Sequence, residues 1–386
     1  MPSTQNEDSR GARAAAEIAR INAFFPIMQL LGNRWARKRP FEGLRIGMRA
    51  HLTTLTAALV RELALGGGSW TVCATSTATT DRAVVDILRD EGIDVSVPGG
   101  REDAIAQVLA AEPQLLVDVG GDLITAAIHR KLQARGAVEL TKSGVDKLRE
   151  IDLPFGVVNI NDGRLKRAVE NRHGVGEGLW HAVQRLTGMH LAGRRVTVIG
   201  YGPVGCGVAQ YARAAGGIVD VVERDPVRRL VCHYDGFPTP SLKDALAAAG
   251  IAVTCTGGHR VLSFEVIRHA ARDGLVLLNA GHGGDELDVT GIKEAATGID
   301  QISDHVVRYQ IEGGPKIVVL GDGHPLNIVT NSGSPEPVLL HFAVLGLALE
   351  WIAGESTLPA SEIMVPDEIE SQAAELALEA LGTSHA

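Results

Sequence analysis

The sequence predicts an α/β protein with two doubly wound domains and a cleft between them. A chain of 386 residues is too long for one ordinary hydrophobic core, which favours two domains. After a polar leader of about thirty residues, short β-like runs alternate with helical stretches. A glycine-rich turn follows one strand in the middle of the chain. Strand–helix alternation implies parallel sheets with right-handed crossovers, so both domains are expected to be doubly wound.

The bulk composition excludes several classes of protein. Hydrophobic residues make up 45% of the chain and charged residues 22%, as in a globular protein rather than a disordered or fibrous one. The formal charge is 37 − 46 = −9, which is a poor basis for non-specific binding to nucleic acid. Four cysteines fall at no metal or disulfide spacing, which favours reduced thiols and a cytoplasmic location.

Two segments could suggest a membrane, and neither is predicted to bind one. The polar N-terminus, MPSTQNEDSRGARAAAE, lacks the apolar core of a signal peptide. The most apolar segment, PVLLHFAVLGLALEWIAG, contains His341 and Glu350 and is interpreted as a buried helix too short to span a bilayer.

The first domain is predicted over residues 1–180, including the polar leader. Its strand candidates are LRIGMR, WTVCAT, IDVSVP, LLVDVG and FGVVNI. Helix-like stretches such as LTTLTAALVRELALG and TTDRAVVDILRDEG lie between them.

The second domain is predicted over residues 181–330, and residues 331–386 return to the first domain as C-terminal helices. Its strand candidates are RVTVIG, IVDVVE, IAVTCTG, LVLLNAG and KIVVLGDG. A connecting helix over residues 176–193 and a loop over residues 328–335 are the expected crossings. Two sheets joined by two crossings leave a cleft, where we expect the ligand.

The glycine-rich turn has the pattern of a dinucleotide site. Gly200, Gly202 and Gly205 form G-x-G-x-x-G between a strand and a helix, and the next strand ends in Glu223. The glycines allow a tight turn, close approach to a pyrophosphate and close helix–strand packing. Glu223 would bind the ribose and repel a 2′-phosphate, which favours NAD, although Arg224 and Arg228 weaken that preference. The alternative is a glycine-rich turn in another α/β sheet.

Polar residues follow several other predicted strands, at the edge where open α/β sheets bind ligands. They are His51, Asp118, Asp122, Asn161, Asp162 and His282. Each alone could be a helix cap or a satisfied core group. Together, facing a dinucleotide site, they are candidates for acid–base chemistry. We find no G-x-S-x-G, no catalytic cysteine pattern and no cluster of metal ligands.

The stretch INDGRLKRAVEN, residues 160–171, allows two interpretations. On a helix, Lys166 and Glu170 share one face, which is typical of a surface ion pair. With a dinucleotide nearby, a buried lysine could instead deprotonate a hydroxyl that is being oxidised. Glu170 could hold the same hydroxyl, and Asn171 could fix the nicotinamide ring.

These motifs resemble the S-adenosylhomocysteine hydrolase family over roughly residues 40–355. The segment VVNINDGRLKRAVENRHGVGEGL resembles the family's catalytic Lys and Asp segment, with Glu170 in place of the Asp. AGRRVTVIGYGPVGCGVAQ is similar to its cofactor loop, and LNAGHGGDELD and VDVGGDL are similar to two further site segments.

The resemblance implies a central Rossmann domain with NAD, and a set of site residues. The implied catalytic residues are Lys166, Glu170, His51, His282 and Asp118, and Thr53 joins His51, Lys166 and Glu170 in binding substrate. The implied cofactor contacts are Thr141, Lys142, Ser143, Asn171, Gly200, Gly202, Pro203, Val204, Gly205, Cys206, Gly207, Glu223, Arg228, Thr256, Gly257, Ala280, Gly281, His282 and Asn327.

The resemblance also implies the chemistry. Oxidising a ribose 3′-alcohol to a ketone makes the C4′ proton removable, and a C5′ substituent is then expelled to give a 4′,5′-alkene. In the family, water adds to the alkene and the ketone is reduced again, so NAD stays bound. The substrate would be a nucleoside or an S-adenosylhomocysteine-like molecule, and the enzyme is expected to be a homo-oligomer.

Departures from the family pattern concentrate around the expected substrate. Val119 and Leu140 replace acids, and Leu55 replaces a polar residue on the adenine side. Val175 and Ser334 replace a cysteine and a histidine. An acid replaced by valine changes proton delivery, and lost polar contacts favour a different substrate.

Three functional hypotheses follow. The first is a divergent enzyme that eliminates a C5′-linked group, with water as one candidate, which would make it a nucleoside dehydratase. The second is a genuine S-adenosylhomocysteine hydrolase. The third is a catalytically silent NAD-binding regulator, which would not need Lys166, Glu170, His51 and His282.

Overall fold

A computed structural model describes residues 4–97, 101–281, 285–355 and 357–382. The chain divides into a first unit, Met1–Lys166 with Pro335–Ala386, and a second unit, Arg167–Ser334. These boundaries differ from the expected 180/181 and 330/331. The first differs because the helix Gly176–Thr187 packs within the second unit, where a Cβ on Gly176 would lie 2.8 Å from the carbonyl carbon of Gly207.

The chain up to residue 166 alternates helices with short strands. Its elements are α1 (Thr4–Phe24), α2 (Ile27–Lys38), β1 (Arg45–Ala50), α3 (Thr54–Ala64), β2 (Ser69–Ala74), α4 (Arg82–Asp90), β3 (Asp94–Ser96), α5 (Arg101–Ala110), β4 (Leu115–Asp118), α6 (Asp122–His129), β5 (Gly136–Glu139), α7 (Lys142–Leu148) and β6 (Gly156–Asn159).

A π-helix over Lys166–Val175 leads into the second unit and is followed by α8 (Gly176–Thr187). The rest of that unit contains β7 (Arg195–Ile199), α9 (Pro203–Ala214), β8 (Ile218–Val222), α10 (Pro226–Tyr234), α11 (Leu242–Ala248), β9 (Ile251–Thr254), α12 (Phe264–Ala270), β10 (Leu275–Asn279), α13 (Val289–Ala295), β11 (Ala296–Ser303), β12 (Val306–Ile311), β13 (Lys316–Leu320) and α14 (Leu326–Val329). The chain then returns to the first unit as α15 (Pro335–Gly354), β14 (Glu362–Met364) and α16 (Asp367–Ala380).

The first unit is built on a seven-stranded sheet in the order β14-β6-β5-β4-β1-β2-β3. Every pair of neighbouring strands is parallel, and the three strands β4, β5 and β6 are buried along their whole length. Strand order reverses at β1, because β2 pairs on one side of it and β4 on the other. The β1/β4 crevice is therefore the topological switch point at which open sheets bind ligands.

The second unit has a seven-stranded sheet in the order β11-β12-β13-β10-β9-β7-β8. Strands β8, β7, β9, β10 and β13 run parallel, and the order reverses at β7. Together the two sheets confirm the predicted fold class of two doubly wound domains, one of them Rossmann-like. The expectation of purely parallel sheets was wrong at one edge, where β11, β12 and β13 pair antiparallel.

The polar leader proves to be helical. Ile18 and Ile21 of α1 are buried, and Trp35 of α2 is fully buried against α15, where a Cβ on Gly346 would lie 2.6 Å or less from its ring. Glu350 of α15 accepts hydrogen bonds from Arg34 at 2.9 Å and from the indole of Trp35 at 2.9 Å. The leader therefore belongs to the core of the first unit.

Helix α15 confirms the prediction of a buried helix, but the expectation that it is too short to span a bilayer was wrong. Among the described residues it alone has the length and hydropathy that a membrane span would need, and 67% of its apolar window is buried inside the protein. That burial is typical of the core helix of a globular domain.

Candidate active site

The carboxyl edge of the second sheet carries the predicted glycine turn. Gly200 follows β7 with φ of +98°, a conformation that favours glycine. A Cβ on Gly205 would collide with the carbonyl oxygen of Gly200, and one on Gly207 would collide with that of Arg172. These two glycines bring α9 close to β7 and to the π-helix.

Gly202 differs from its neighbours because a side chain there has room. It precedes α9 with φ of −78°, and the one atom near a Cβ would be a guanidinium nitrogen of Arg228 at 3.8 Å. Pro203 begins the helix, where its missing N–H costs nothing. The open space above Gly202 faces the α9 N-terminus, where N–H groups attract phosphate. Val204 and Cys206 occupy the same first turns of α9.

Glu223 lies directly after β8, as the sequence predicts for a ribose-binding acid. Its Oε2 accepts from the N–H of Tyr201 at 2.7 Å, and its Oε1 accepts from the N–H of Asp225 at 2.9 Å. These bonds tie the carboxylate to the turn that contains Gly200 and Gly202. Arg228 lies one turn into α10, whose N-cap is Asp225.

The loops after β9 and β10 are fastened by two buried side chains that the sequence did not single out. Glu286 accepts from Thr256 N–H at 2.9 Å and from Gly257 N–H at 2.7 Å. Burial raises the pKa of Glu286, and those N–H groups oppose the rise. Asn279 accepts from Gly281 N–H at 2.7 Å. The N–H of Ala280 donates to the Thr254 carbonyl.

Asn327 provides an independent test of whether this edge fits NAD. Its buried Oδ1 has no hydrogen-bond partner among the described residues. An unpaired buried acceptor is costly unless a ligand supplies a donor, and the nicotinamide carboxamide is such a donor. With the open turn at Gly202 and the acid at Glu223, this edge fits a dinucleotide. The predicted His282 lies outside the described residues.

The predicted catalytic segment lies on the π-helix that begins at Lys166. Lys166, Glu170 and Asn171 are half-buried along it, rather than standing on a fully exposed surface. Arg172 donates to Gln210 of α9 at 2.9 Å, and His173 contacts the Tyr211 hydroxyl at 3.1 Å. π-Helical turns are rare and often mark functional sites. The contacts of Arg172 and His173 fix the end of the segment on α9.

The carboxyl edge of the first sheet holds His51 and Thr53, directly after β1. His51 Nδ1 lies 2.7 Å from the hydroxyls of both Thr75 and Thr79. Thr53 is the N-cap of α3 and accepts from the Thr56 N–H at 3.4 Å. The imidazole is therefore oriented by two hydroxyls at the β1/β4 switch point.

Asp118, at the end of β4, is fully buried in an ion cluster that the sequence did not predict. It accepts from the N–H of Ile124 at 2.9 Å and faces Arg49 at 3.4 Å. Arg49 also donates to the Val119 carbonyl and pairs with Asp122 at 2.8 Å. Burial raises the pKa of Asp118, and the charge of Arg49 opposes that rise. We therefore propose a structural role for Asp118 in place of the predicted catalytic one.

Two acids that follow strands of this sheet, Asp122 and Asp162, form further ion pairs. Asp122 also pairs with Lys147, whose Nζ donates to the Gly120 carbonyl at 2.8 Å. Asp162 pairs with Arg149 at 3.1 Å and accepts from Asn161 at 2.9 Å. These acids have partners within the protein, as expected of structural groups.

Glu139, at the end of β5, is a second buried acid that the sequence did not single out. It accepts from the N–H groups of Gly120 and Gly121, both at 3.0 Å, and from Thr141 N–H at 2.8 Å. Burial, followed by repulsion from Asp118, raises the pKa of Glu139 to about 7. The β4 and β5 loops are thus held around one carboxyl group.

Three predicted cofactor contacts belong to this first unit rather than to the second. Thr141 donates to Glu139 at 2.6 Å and caps α7, Lys142 pairs with Asp146 at 2.7 Å, and Ser143 lies 3.3 Å from the Thr141 hydroxyl. The rest of the described cofactor set lies in the second unit. The role of Thr141, Lys142 and Ser143 in cofactor binding stays a prediction.

Comparison with known proteins gives matches over nearly the whole chain. A model of the S-adenosyl-L-homocysteine hydrolase family matches residues 10–199, and a model of its NAD binding domain matches residues 171–333. An adenosylhomocysteinase of Pyrococcus abyssi is 31% identical over 94% of this chain and 89% of its own length. An S-inosyl-L-homocysteine hydrolase of Methanopyrus kandleri is 32% identical, with 92% and 88% covered.

Proposed function

The chain belongs to the S-adenosyl-L-homocysteine hydrolase family, and we propose that it eliminates a C5′-linked group from a nucleoside after transient oxidation of the 3′-hydroxyl. The cofactor of this NAD-dependent enzyme, when bound, accepts the hydrogen and electron pair that leave C3′. The second sheet's edge would hold it through Gly202, Glu223 and Asn327. Once C3′ is a ketone, the C4′ proton is removable and the C5′ substituent can be expelled.

Lys166 and Glu170 are the residues that we assign to the 3′-hydroxyl. The lysine would take the hydroxyl proton as oxidation proceeds, and the glutamate would hold the same oxygen. Both are half-buried on the π-helix, which supports a role other than that of an exposed ion pair. The longer arm of Glu170, compared with the family's Asp, is compatible with the wider turn of a π-helix.

His51 is assigned to the ribose and the leaving group. Its Nδ1 lies 2.7 Å from two threonine hydroxyls, which orient the imidazole. An imidazole oriented in this way is a candidate general acid or base.

The observation that carries the proposal of altered C5′ chemistry is the internal pairing of the strand-end acids in the first unit. Asp118 and Asp122 pair with Arg49, and Glu139 accepts from backbone N–H groups. Val119 and Leu140, which replace two family acids, add no titratable group. Proton delivery to a C5′ leaving group requires such a group, which favours a leaving group or hydration step different from the family's. Water is another candidate leaving group, and its loss would make the enzyme a nucleoside dehydratase. Because hydroxide is a poorer leaving group than a thiolate, His51 would then have to protonate the departing oxygen.

A second candidate is a genuine hydrolase of a nucleosyl-homocysteine. It is favoured by relatives whose names specify adenosylhomocysteinase or S-inosyl-L-homocysteine hydrolase. The second name matters because Leu55 replaces a polar residue expected near adenine, and a hypoxanthine base would need different contacts. The third hypothesis, a silent regulator, gains no support from the half-buried Lys166.

One experiment separates these functions. The purified holoenzyme is mixed separately with S-adenosylhomocysteine, S-inosylhomocysteine, adenosine and inosine, and the reduced-nicotinamide absorbance and products are followed. An unsaturated nucleoside supports the proposed elimination, and homocysteine with intact nucleoside supports the hydrolase. No absorbance change and no product with any of the four would overturn both. A Lys166→Met variant is the matched control, because it should retain NAD and show no reduction.

A further inference from the structure

We propose that His341 binds the substrate, accepting a hydrogen bond from the ribose 2′-hydroxyl, an inference that rests on the proposed function. No motif in the sequence pointed to this residue, which was noted only as a polar interruption of the apolar helix α15. Its chemistry becomes visible only in the folded protein.

The imidazole of His341 is buried at the carboxyl edge of β5. The residue is 5% exposed on α15, and its ring is hydrogen-bonded to the backbone of Leu140, the residue that follows β5. The N–H of Leu140 already donates to the Asp118 carbonyl at 3.2 Å. The ring therefore donates to the Leu140 carbonyl.

The other ring nitrogen is an unused acceptor. Nε2 of His341 is buried and has no hydrogen-bond partner among the described residues. The donor to Leu140 must then be Nδ1, which leaves the lone pair on Nε2. Burial, followed by the charge of Lys166, lowers the pKa of His341 well below its usual value, so the ring stays neutral at working pH. The lone pair on Nε2 is therefore not taken by a proton near neutral pH.

A buried acceptor without a donor is costly in the ligand-free protein and is relieved when a ligand supplies one. The cation whose charge acts on the pKa of His341 is Lys166, which the proposed function assigns to the 3′-hydroxyl. On a ribose, the carbons next to C3′ are C2′ and C4′, and of these only C2′ carries a hydroxyl. The 2′-hydroxyl is therefore the donor that a group beside Lys166 would meet.

The identity of Leu140 supports the same assignment. The family resemblance implies an acid at this position, and here the side chain is an apolar, buried leucine. The backbone carbonyl of Leu140 instead orients an imidazole, which supplies an acceptor from α15. A neutral acceptor in place of an anion would suit a site that already contains the buried Glu139.

The test measures the binding of adenosine and inosine, each against its 2′-deoxy counterpart, to the holoenzyme by calorimetry. For wild type we expect tighter binding of the ribonucleosides. His341→Leu should reduce that preference about tenfold, leaving the affinity for the deoxynucleosides unchanged. His341→Gln, whose amide oxygen can accept in place of Nε2, should restore part of it. Leu339→Ala, at a fully buried position of the same helix, is the control for lost packing and should keep the preference.

The outcomes distinguish this inference from the proposed function. If His341→Leu weakens the binding of ribonucleosides and deoxynucleosides equally, or weakens neither, the assignment of His341 is overturned. Equal weakening would show that the side chain of His341 serves Lys166 or packing instead. The preference for ribonucleosides could depend on His341 while NAD is not reduced and no product forms. That result would keep the assignment of His341 and rule out the proposed elimination. The absence of nucleoside binding to wild type would overturn both.

Discussion

The two sheets differ in strand order, yet each reverses its order at one strand, and the carboxyl edges at these points present ligands with different chemistry. In the second unit, the turn after β7 offers backbone N–H groups, an open space at Gly202 and the acid Glu223. In the first unit, the corresponding edge at β1 and β4 carries charged side chains, and Arg49 pairs with both Asp118 and Asp122. Cofactor recognition through the backbone requires only a few glycines. Substrate recognition through side chains can change residue by residue while the sheet stays the same.

The largest effect is expected where the backbone itself forms the site. Gly205→Ala would place a methyl group against the Gly200 carbonyl oxygen, so we expect loss of bound NAD and a lower melting temperature. Cofactor content after purification and thermal unfolding measure the two effects.

Gly202→Ala is the matched comparison for that variant. Its Cβ would meet only Arg228 at 3.8 Å, so the melting temperature of the cofactor-free protein should be close to that of wild type. NAD binding should still fall, because the pyrophosphate needs that space. Full NAD content in Gly202→Ala would contradict the placement of the pyrophosphate.

The second prediction concerns the buried acid of the first unit. The pKa of Glu139 is raised from 4.5 to about 7, so the folded protein binds this proton more tightly than the unfolded chain. Its contribution to stability is therefore fully present below about pH 4.5 and is lost as the pH rises to about 7. The loss is on the order of 3 kcal/mol, from 1.36 kcal/mol per unit of pKa.

Glu139→Gln removes this titration. The free energy of unfolding of wild type, measured by denaturant at several pH values, should fall relative to that of the variant between pH 4.5 and 7. A difference between the two proteins that does not vary with pH would show that Glu139 is ionised throughout. Such a result would set the two edges apart, because burial also raises the pKa of Glu286, which fastens its loops through backbone N–H groups.

The third prediction addresses the missing acid directly. Val119 is half-buried after β4, and its carbonyl is held by Arg49. Val119→Asp restores a titratable group, so homocysteine release from S-adenosylhomocysteine should rise at least about tenfold. Val119→Asn has a similar shape and cannot deliver a proton at this site, so it should show no increase. Equal rates in the two variants would argue that the acid is not what limits the reaction.

The sequence was sufficient to predict features that depend only on residues close together in the chain. Gly200, Gly202 and Gly205 were identified because strand, turn and helix follow one another within a single segment. The π-helix was not predicted, since the spacing of Lys166 and Glu170 also suits an ordinary helix. Four strands were missed, namely β5, β14 and the antiparallel pair β11 and β12. The short strands β5 and β14 lack the clear apolar run of a longer strand.

Features that depend on distant segments were not predicted. Arg49 and Asp118 lie on different strands, and their pairing requires the sheet order of the folded protein. His341 reaches Leu140 from a helix some two hundred residues later in the chain, so only tertiary structure joins them. The helices of the N-terminal leader were not predicted, because the segment is polar overall. Ile18 and Ile21 of α1 nevertheless share one face and are buried.

The central claim is that oxidation at C3′ makes the C4′ proton exchangeable, with Lys166 as the base for the 3′-hydroxyl. The holoenzyme is incubated in deuterated water with adenosine or inosine, and the recovered nucleoside is analysed by proton NMR. We predict loss of the C4′ proton signal with wild type and full retention of that signal with Lys166→Met. Full retention with wild type, under conditions where the nucleoside is bound, would contradict the claim.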